Sequence, residues 1–99
     1  MDIQETVNRH GQWVVDGNMG GVMGDFEPAA LQAFGAQGVM PPRPTTKYEV
    51  MAERTEGDQC IYEVRYSNDQ GQHATIRSHW KQMGDAWKIV QAEGVKDQA

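Results

Sequence analysis

The sequence is poor in the features that mark several classes of protein. It contains a single cysteine, Cys60, so it cannot form an internal disulfide bond. No stretch approaches the roughly 18 apolar residues that a membrane-spanning helix requires. The first residues, from Met1 to Glu5, are acidic and contain no apolar run of the kind found in signal peptides. We therefore expect a soluble, cytoplasmic protein, with a leader removed ahead of Met1 left open as an alternative.

Basic residues are also few. The chain of 99 residues has 9 Lys and Arg against 14 Asp and Glu, which gives a formal net charge of −5, and the basic residues are scattered. A protein that binds nucleic acid presents a contiguous basic surface. No nucleic-acid partner is therefore expected, and the length suits one domain that spans residues 1–99.

Two features of the sequence could suggest a cofactor or a metal ion, but the residues present and their spacing do not fit such a site. The segment from Gly17 to Gly21 follows a predicted helix and lacks the Lys and Ser or Thr of a phosphate-binding loop, so we interpret it as a flexible connection. His73 and His79 lie on one predicted strand, separated by about 20 Å, too far apart to share an ion. Ser78 and His79 are adjacent and point to opposite faces, so a Ser-His-acid triad has no support. The sequence predicts no cofactor, no metal site and no catalytic residue.

The stretch from Tyr48 to Glu93 carries the clearest pattern. Strand-forming residues recur there with period two, and turn-forming residues interrupt them at Glu56-Gly57-Asp58, at Asp69-Gln70-Gly71 and at Gly84-Asp85. The pattern predicts four antiparallel strands joined by tight turns. Residues 39–46, which are rich in proline, are predicted to form an extended crossover that leads into the sheet.

The middle and last turns determine most of the predicted register. A three-residue middle loop, with its glycine in the left-handed position, places Val64 opposite Ile76. A two-residue last loop places Trp80 opposite Ile89. The other pairs across the middle turn are Tyr66 with Ala74, Tyr62 with Ser78, and Cys60 with Trp80.

The first turn allows two registers. A two-residue loop would pair Ala52 with Glu63 and mix the two faces of the sheet. A three-residue loop instead pairs Ala52 with Tyr62 and Val50 with Val64. We prefer the three-residue loop, because a slip of one residue would move a whole strand to the opposite face.

This register separates an inner face from an outer face. The inner face is apolar or aromatic and consists of Tyr48, Val50, Ala52, Cys60, Tyr62, Val64, Tyr66, Ala74, Ile76, Ser78, Trp80, Trp87 and Ile89. The outer face is mostly charged and includes Glu49, Glu53, Glu63 and Arg77. The inner face should pack on helices, and no carboxylate lies on it before Glu93.

Two helices are predicted ahead of the sheet. Apolar residues at helical spacing indicate an amphipathic helix over residues 3–16. A second, shorter helix begins at Asp25, which can cap it, with Pro28 in its first turn, and ends at Gly35 or Gly38. At the other end of the chain, the last residues from Val95 are expected to fray.

Several short segments resemble the nuclear transport factor 2-like superfamily, which includes polyketide cyclase SnoaL-like and ketosteroid isomerase-like proteins. The segments are Gly24-Asp25-Phe26, Tyr48-Glu49-Val50, Gly57-Asp58 before Tyr62-Glu63-Val64, Trp80-Lys81-Gln82, and Ala86-Trp87-Lys88-Ile89-Val90. The resemblance implies an α+β fold of the cystatin-like kind, in which two N-terminal helices pack on a curved four-stranded antiparallel sheet. Such a sheet curls into a cone, with a pocket between its concave face and the helices.

The resemblance includes isomerase-like enzymes. These enzymes use a carboxylate base and an acidic hydrogen-bond donor in the pocket. No position of the predicted inner face matches that pair, so the resemblance argues for the fold and against that chemistry. His10 and Glu93 are the only candidates for a pocket acid or base. His10 lies near the apolar stripe of the first helix and is otherwise a packing residue.

We interpret the chain as a non-catalytic module that binds a small apolar ligand in the cone, associates as a homodimer, or does both. Hydroxyl and indole groups on an apolar face are typical of small-molecule sites. The predicted pocket residues are Trp13, Phe26, Phe34, Tyr48, Tyr62, Tyr66, Ser78 and Trp80. The alternatives are a small isomerase, cyclase or hydrolase that acts on an apolar substrate, and a purely structural piece whose core is filled.

The outer face supports the homodimer hypothesis. It carries an apolar band within a charged frame, which suits a symmetric interface. The residues predicted to form this dimer face are Met51, Ile61, Arg65, Thr75, Arg77, His79 and Val90. A solvated outer face is the alternative.

Overall fold

The structure is a computed structural model that describes residues 2–95. Its elements, in chain order, are α1 (Ile3–Asp16), α2 (Met19–Gly24), α3 (Pro28–Ala36), β1 (Lys47–Glu56), β2 (Gln59–Ser67), β3 (His73–Met83) and β4 (Ala86–Val95). The four strands form one antiparallel sheet whose order follows the chain. The α+β class is therefore confirmed, with three helices instead of two.

Helix α1 has the predicted bounds and clear signals at both ends. Asp2 precedes it, and its Oδ1 accepts a hydrogen bond from the backbone N–H of Glu5 at 2.8 Å. Gly17 ends the helix in the left-handed conformation, with φ of 77°. The helix buries Val7 and His10, so its apolar stripe faces the core. Within the described residues, no helix is long and apolar enough to cross a membrane.

The prediction that Asp25 caps the second helix is wrong. Residues 17–21 were predicted as a flexible connection, but residues 19–24 form the short helix α2, and Asp25 follows it. Helix α3 begins later, at Pro28, and the preceding residue Glu27 makes no side-chain capping bond. Asp25 does not cap α3 because its carboxylate is held by side chains of α1.

The middle and last hairpins have the predicted registers. Val64 pairs with Ile76, and Trp80 pairs with Ile89. A backbone hydrogen bond from Asn68 to Gln72 closes the middle three-residue loop. A register shift between His79 and Trp80 adds a bulge on β4 that the sequence did not indicate. Strand β4 continues through Val95, and the rest of the tail that was predicted to fray lies outside the described residues.

The register of the first hairpin differs from the predicted one. Val50 pairs with Val64 as expected, but Ala52 lies opposite Glu63 instead of Tyr62, because the register shifts between Val50 and Ala52. This shift is a β-bulge, which inserts one extra residue into one strand of a pair. Beyond the bulge, the faces of β1 are exchanged relative to the prediction. Ala52 moves to the outer face, and Glu53 moves to the inner face.

The core lies between the inner face of the sheet and the helices. Its central residues are Val7, Tyr62, Val64, Tyr66, Ile76, Trp80, Ile89 and Ala92. Strand β1 contributes little to it, because all of its residues except Tyr48 are exposed. The sheet residues of the core therefore come from β2, β3 and β4.

The two edges of the sheet differ. The edge of β4 is covered by the segment between α2 and α3, where Ile89 N donates to Asp25 O at 2.7 Å and Glu27 N donates to Ile89 O at 2.9 Å. Gln37 adds a side-chain bond to Ala92 O at 2.8 Å. Among residues 2–95, no segment pairs with the second edge of β1.

Candidate functional site

Helix α1 is fixed on β1 by one close contact. A Cβ atom added to Gly11 would lie only 2.6 Å from Cδ2 of Tyr48, so the helix backbone rests directly on that aromatic ring. The Tyr48 hydroxyl donates to Oδ1 of Asn8 at 3.1 Å. This contact sets the distance between helix and strand on one side of the bulge.

A groove of about 490 Å³ lies between α1 and the bulged part of β1. Its lining residues are Gln4, Val7, Asn8, Val50, Met51, Ala52, Glu53 and Tyr62. We call this the α1–β1 groove. Val50 and Met51 are 40% and 52% exposed, which is high for large apolar side chains of a sheet. The groove thus has apolar walls with amide, carboxylate and phenol groups set among them.

The phenol of Tyr62 and the carboxylate of Glu53 are coupled in this groove. Burial raises the pKa of Tyr62 well above its ordinary value, and a hydrogen bond to Glu53 and the charge of that carboxylate raise it further. Asp2 acts in the same direction. Tyr62 is therefore a neutral donor at ordinary pH, and the potential of the groove is negative.

The structure places the eight predicted pocket residues mostly in the packed core. Tyr62, Tyr66, Ser78 and Trp80 are buried, and Trp80 is only 1% exposed. Phe26, Phe34 and Tyr48 pack against that cluster. Trp13 packs elsewhere, against Gly21 and beneath the Arg9 guanidinium, which lies 4.4 Å from its ring centroid. Of the eight, Tyr62 lines the α1–β1 groove.

Sequence reasoning missed the other residues that line this groove. Gln4, Val7 and Asn8 have i, i+3 and i+4 spacing, so their shared helical face could have been recognised. Glu53 could not, because its place on the inner face depends on the bulge. The statement that the inner face has no carboxylate before Glu93 is therefore wrong.

A second polar cluster ties α1 to the turn before α3. Asp25 is 4% exposed, and its Oδ2 lies 2.9 Å from Nδ1 of His10 while its Oδ1 lies 3.1 Å from Nη2 of Arg9. The His10 ring meets Trp80 edge-on, with centroids 5.4 Å apart. Asp25 and Arg9 also border a smaller cavity of about 260 Å³. The carboxylate joins the turn at Asp25 to α1 through both of its oxygens, and the His10 ring joins α1 to β3 through Trp80.

Glu93, the other candidate acid or base, lies on the outer face. It is directly opposite Arg77, and its Oε2 lies 2.8 Å from Nε2 of His79. Burial alone would raise the pKa of Glu93, but hydrogen bonds from His79 and Gln91, with the charges of His79 and Arg77, lower it below its ordinary value. Glu93, named only as a candidate, therefore lies away from the inner face and belongs to an ion-pair network on the outer face.

The predicted dimer face has little exposed apolar surface in this chain. Ile61 and Thr75 are already buried, at 3% and 6% exposure. Arg77 and His79 are engaged with Glu93. Of the remaining residues, Arg65 and Val90 are half-buried, and Met51 lines the α1–β1 groove. Association through this face stays a prediction.

No protein-family model, no curated protein and no solved structure matches the chain. Within residues 2–95, no group of three His, Cys, Asp or Glu side chains is placed to hold a metal ion.

Proposed function

We propose that this protein is a non-catalytic binding module that takes a small apolar ligand in the α1–β1 groove. The observation that carries the proposal is the groove itself, with exposed Val50 and Met51 beside the buried phenol of Tyr62. Its volume of about 490 Å³ is within the range of about 300–1,000 Å³ that is typical of small-molecule sites. Tyr66 and Trp80, which were predicted to line an interior pocket, are buried in the core cluster, so the groove replaces that pocket as the candidate site.

The polar groups of the groove favour a particular kind of ligand. Glu53 and Asp2 make the potential negative, and the Tyr62 hydroxyl remains protonated. A ligand with an apolar body and a neutral or cationic polar group fits these groups. An anionic ligand would meet repulsion at short range.

One observation favours the enzyme alternative. Glu53 and Tyr62 place a carboxylate and a phenol in the same groove, a combination that can transfer protons in an isomerase or cyclase. The two groups, however, already interact with each other, because Glu53 raises the pKa of Tyr62. A substrate atom that reacts with both would have to separate them, so the binding function has the stronger support. The resemblance to nuclear transport factor 2-like proteins stays a prediction beside it.

Titration with Nile red, a neutral apolar fluorophore, tests the binding function. We expect saturable binding by the natural chain and at least about a fivefold weaker affinity for Gln4→Trp, which fills the groove from α1. The matched control is Gln12→Trp, on the same helix but outside the groove. Both glutamines are exposed, so both variants should fold.

Two results would contradict the binding function. One is the absence of saturable binding by the natural chain. The other is equal binding by the Gln4→Trp and Gln12→Trp variants. A solvent-exchange assay on a ketone with an acidic α-proton tests the alternative, because proton transfer by Glu53 would be lost in Glu53→Gln while Nile red binding was retained.

A further inference from the structure

We infer that two copies of this chain associate through the open edge of β1, so that their sheets join into one continuous sheet. The edge is formed by Lys47–Glu56, a strand of 10 residues. A free edge presents unpaired N–H and C=O groups and is a template for pairing with another strand. Because the edge of β4 is already covered by the segment between α2 and α3, β1 is the edge that remains for a partner.

The sequence of β1 is complementary to itself. A two-fold axis between Met51 and Ala52 pairs the whole strand with its copy in the antiparallel direction. In that register Lys47 faces Glu56 of the second copy, and Glu49 faces Arg54. The remaining pairs are Tyr48 with Thr55, Val50 with Glu53, and Met51 with Ala52. Opposite charges directly across a ladder stabilise the pairing, and the two-fold axis makes every such pair occur twice.

Because of the bulge, the two side chains of each pair project from the same side of the sheet. Residues that face each other across an antiparallel pair must project from the same side of the sheet. Before the bulge Glu49 is on the outer side, and after it Ala52 and Arg54 are on the outer side too. In a regular strand Glu49 and Arg54 would project from opposite sides. The shift between Val50 and Ala52 therefore brings each charge to the side where its partner lies.

Neighbouring registers are excluded by charge. If the axis moves by one residue toward the start of β1, Lys47 faces Arg54. If it moves by one residue toward the end, Glu49 faces Glu56. Like charges directly opposite each other are destabilising, so the register centred between Met51 and Ala52 is selected.

The charged side chains of β1 are exposed and can reach a second copy, although Glu49 also lies opposite Arg65 within the chain. The Arg54 and Glu56 side chains are 58% and 60% exposed, and their own ion pair of 2.9 Å is at the surface. Within the chain, Lys47 lies opposite Ser67 and Glu56 lies opposite Gln59, neither of which is charged. The interface also adjoins the α1–β1 groove, because Val50 and Glu53 line that groove and face each other across the axis.

Charge exchange at the ends of the strand tests this interface independently of ligand binding. Sedimentation velocity over a series of protein concentrations gives the dimer dissociation constant of the natural chain. Lys47→Glu places two carboxylates opposite each other at both ends of the interface, and we expect the dissociation constant to rise by about tenfold or more. The double variant that combines Lys47→Glu with Glu56→Lys restores the opposite charges, so it should restore the dimer.

Arg43→Glu is the control, because it makes the same change in net charge at an exposed position outside β1. A natural chain that stays monomeric at all concentrations would overturn the inference. So would a dimer that Lys47→Glu and Arg43→Glu weaken equally, or one that the double variant fails to restore. A dimer that withstands Lys47→Glu but is lost in Arg65→Glu would assign the contact to the outer face of the sheet. None of these results depends on Nile red binding, so the two proposals can fail separately.

Discussion

Glu53 lies directly opposite Tyr62 in the β1–β2 ladder, and both side chains project from the inner face of the sheet. The pair exists because one extra residue near Met51 exchanges the faces of β1. A carboxylate beside a buried phenol sets the charge of the α1–β1 groove. The pKa of the phenol therefore responds to changes at the carboxylate.

The Glu53→Gln substitution should lower the pKa of Tyr62. The carboxylate raises that pKa through a hydrogen bond and through its charge, and the amide carries no charge. Near-ultraviolet absorbance as a function of pH measures the ionisation, and Tyr62→Phe identifies the contribution of this residue. The control Glu49→Gln removes a charge from the outer face. Identical titration curves for the natural chain and Glu53→Gln would contradict the coupling.

The stability of the protein should decrease at alkaline pH through Tyr66. Burial raises the pKa of its phenol in the folded state. The stabilisation is therefore fully present below the ordinary tyrosine pKa of about 10 and is lost as pH rises from there toward the folded-state value. Denaturant unfolding at a series of alkaline pH values should show a smaller decrease for Tyr66→Phe. Equal decreases in both proteins would mean that Tyr66 ionises as freely in the folded state as in the unfolded chain.

The Asp25→Ala substitution should destabilise the fold by about 1–3 kcal/mol, the usual cost of leaving a buried hydrogen-bonding group without its partner. It leaves Arg9 and His10 without the carboxylate that they share at 3.1 and 2.9 Å. Urea denaturation measures the loss. Asp69→Ala, in an exposed turn, is the control. A difference between the two variants of less than about 1 kcal/mol would show that the cluster contributes no more than a surface pair.

The Gly11→Ala substitution should be destabilising although alanine favours helices. The added methyl group would lie 2.6 Å from the Tyr48 ring, and overpacking of this kind costs about 1–3 kcal/mol. Gly35→Ala is the matched change, since a Cβ there meets no atom within 4 Å, and it should stabilise by up to about 1 kcal/mol. Thermal unfolding of both variants checks the prediction. A stabilised Gly11→Ala variant would mean that α1 can move away from β1 at little cost.

The ion-pair network around Glu93 should make the protein sensitive to acid. The folded-state pKa of Glu93 is below its ordinary value of 4.5. Its stabilisation is therefore present above that ordinary value and is lost as pH falls through the folded-state pKa. Glu93→Gln should be less stable than the natural chain at neutral pH, and the difference should shrink in acid. Urea denaturation at several acidic pH values measures this, and a constant difference would contradict it.

Much of the sheet could be predicted from the sequence because its turns and its apolar alternation agree. The middle turn, with Gly71 in the left-handed position at φ of 80°, places Val64 opposite Ile76. The register predicted for the first hairpin was wrong because Ala52, Glu53 and the residues that follow show little alternation between apolar and polar side chains. A shift of one residue there moves no large apolar group out of the core, so the alternation does not specify the register.

The candidate site was less accessible to sequence reasoning than the fold. Tyr62 was recognised from its alternation with apolar neighbours, but Glu53 reaches the groove only through the bulge. Asp25 has the sequence signature of a helix cap, and its actual role depends on Arg9 and His10, which lie on another helix. Local pattern predicted both residues incorrectly because long-range contacts decide their roles.

The covered edge of β4 has a consequence for how far this protein can assemble. Its hydrogen-bonding groups are partly taken by the segment from Asp25 to Glu27 within the same chain. A sheet that can grow on one side only stops when two copies have met, whereas a sheet with two open edges can continue into a filament. We therefore expect the short connection between α2 and α3 to limit assembly through the sheet to two copies, and a variant that frees this edge is where we would look for aggregation.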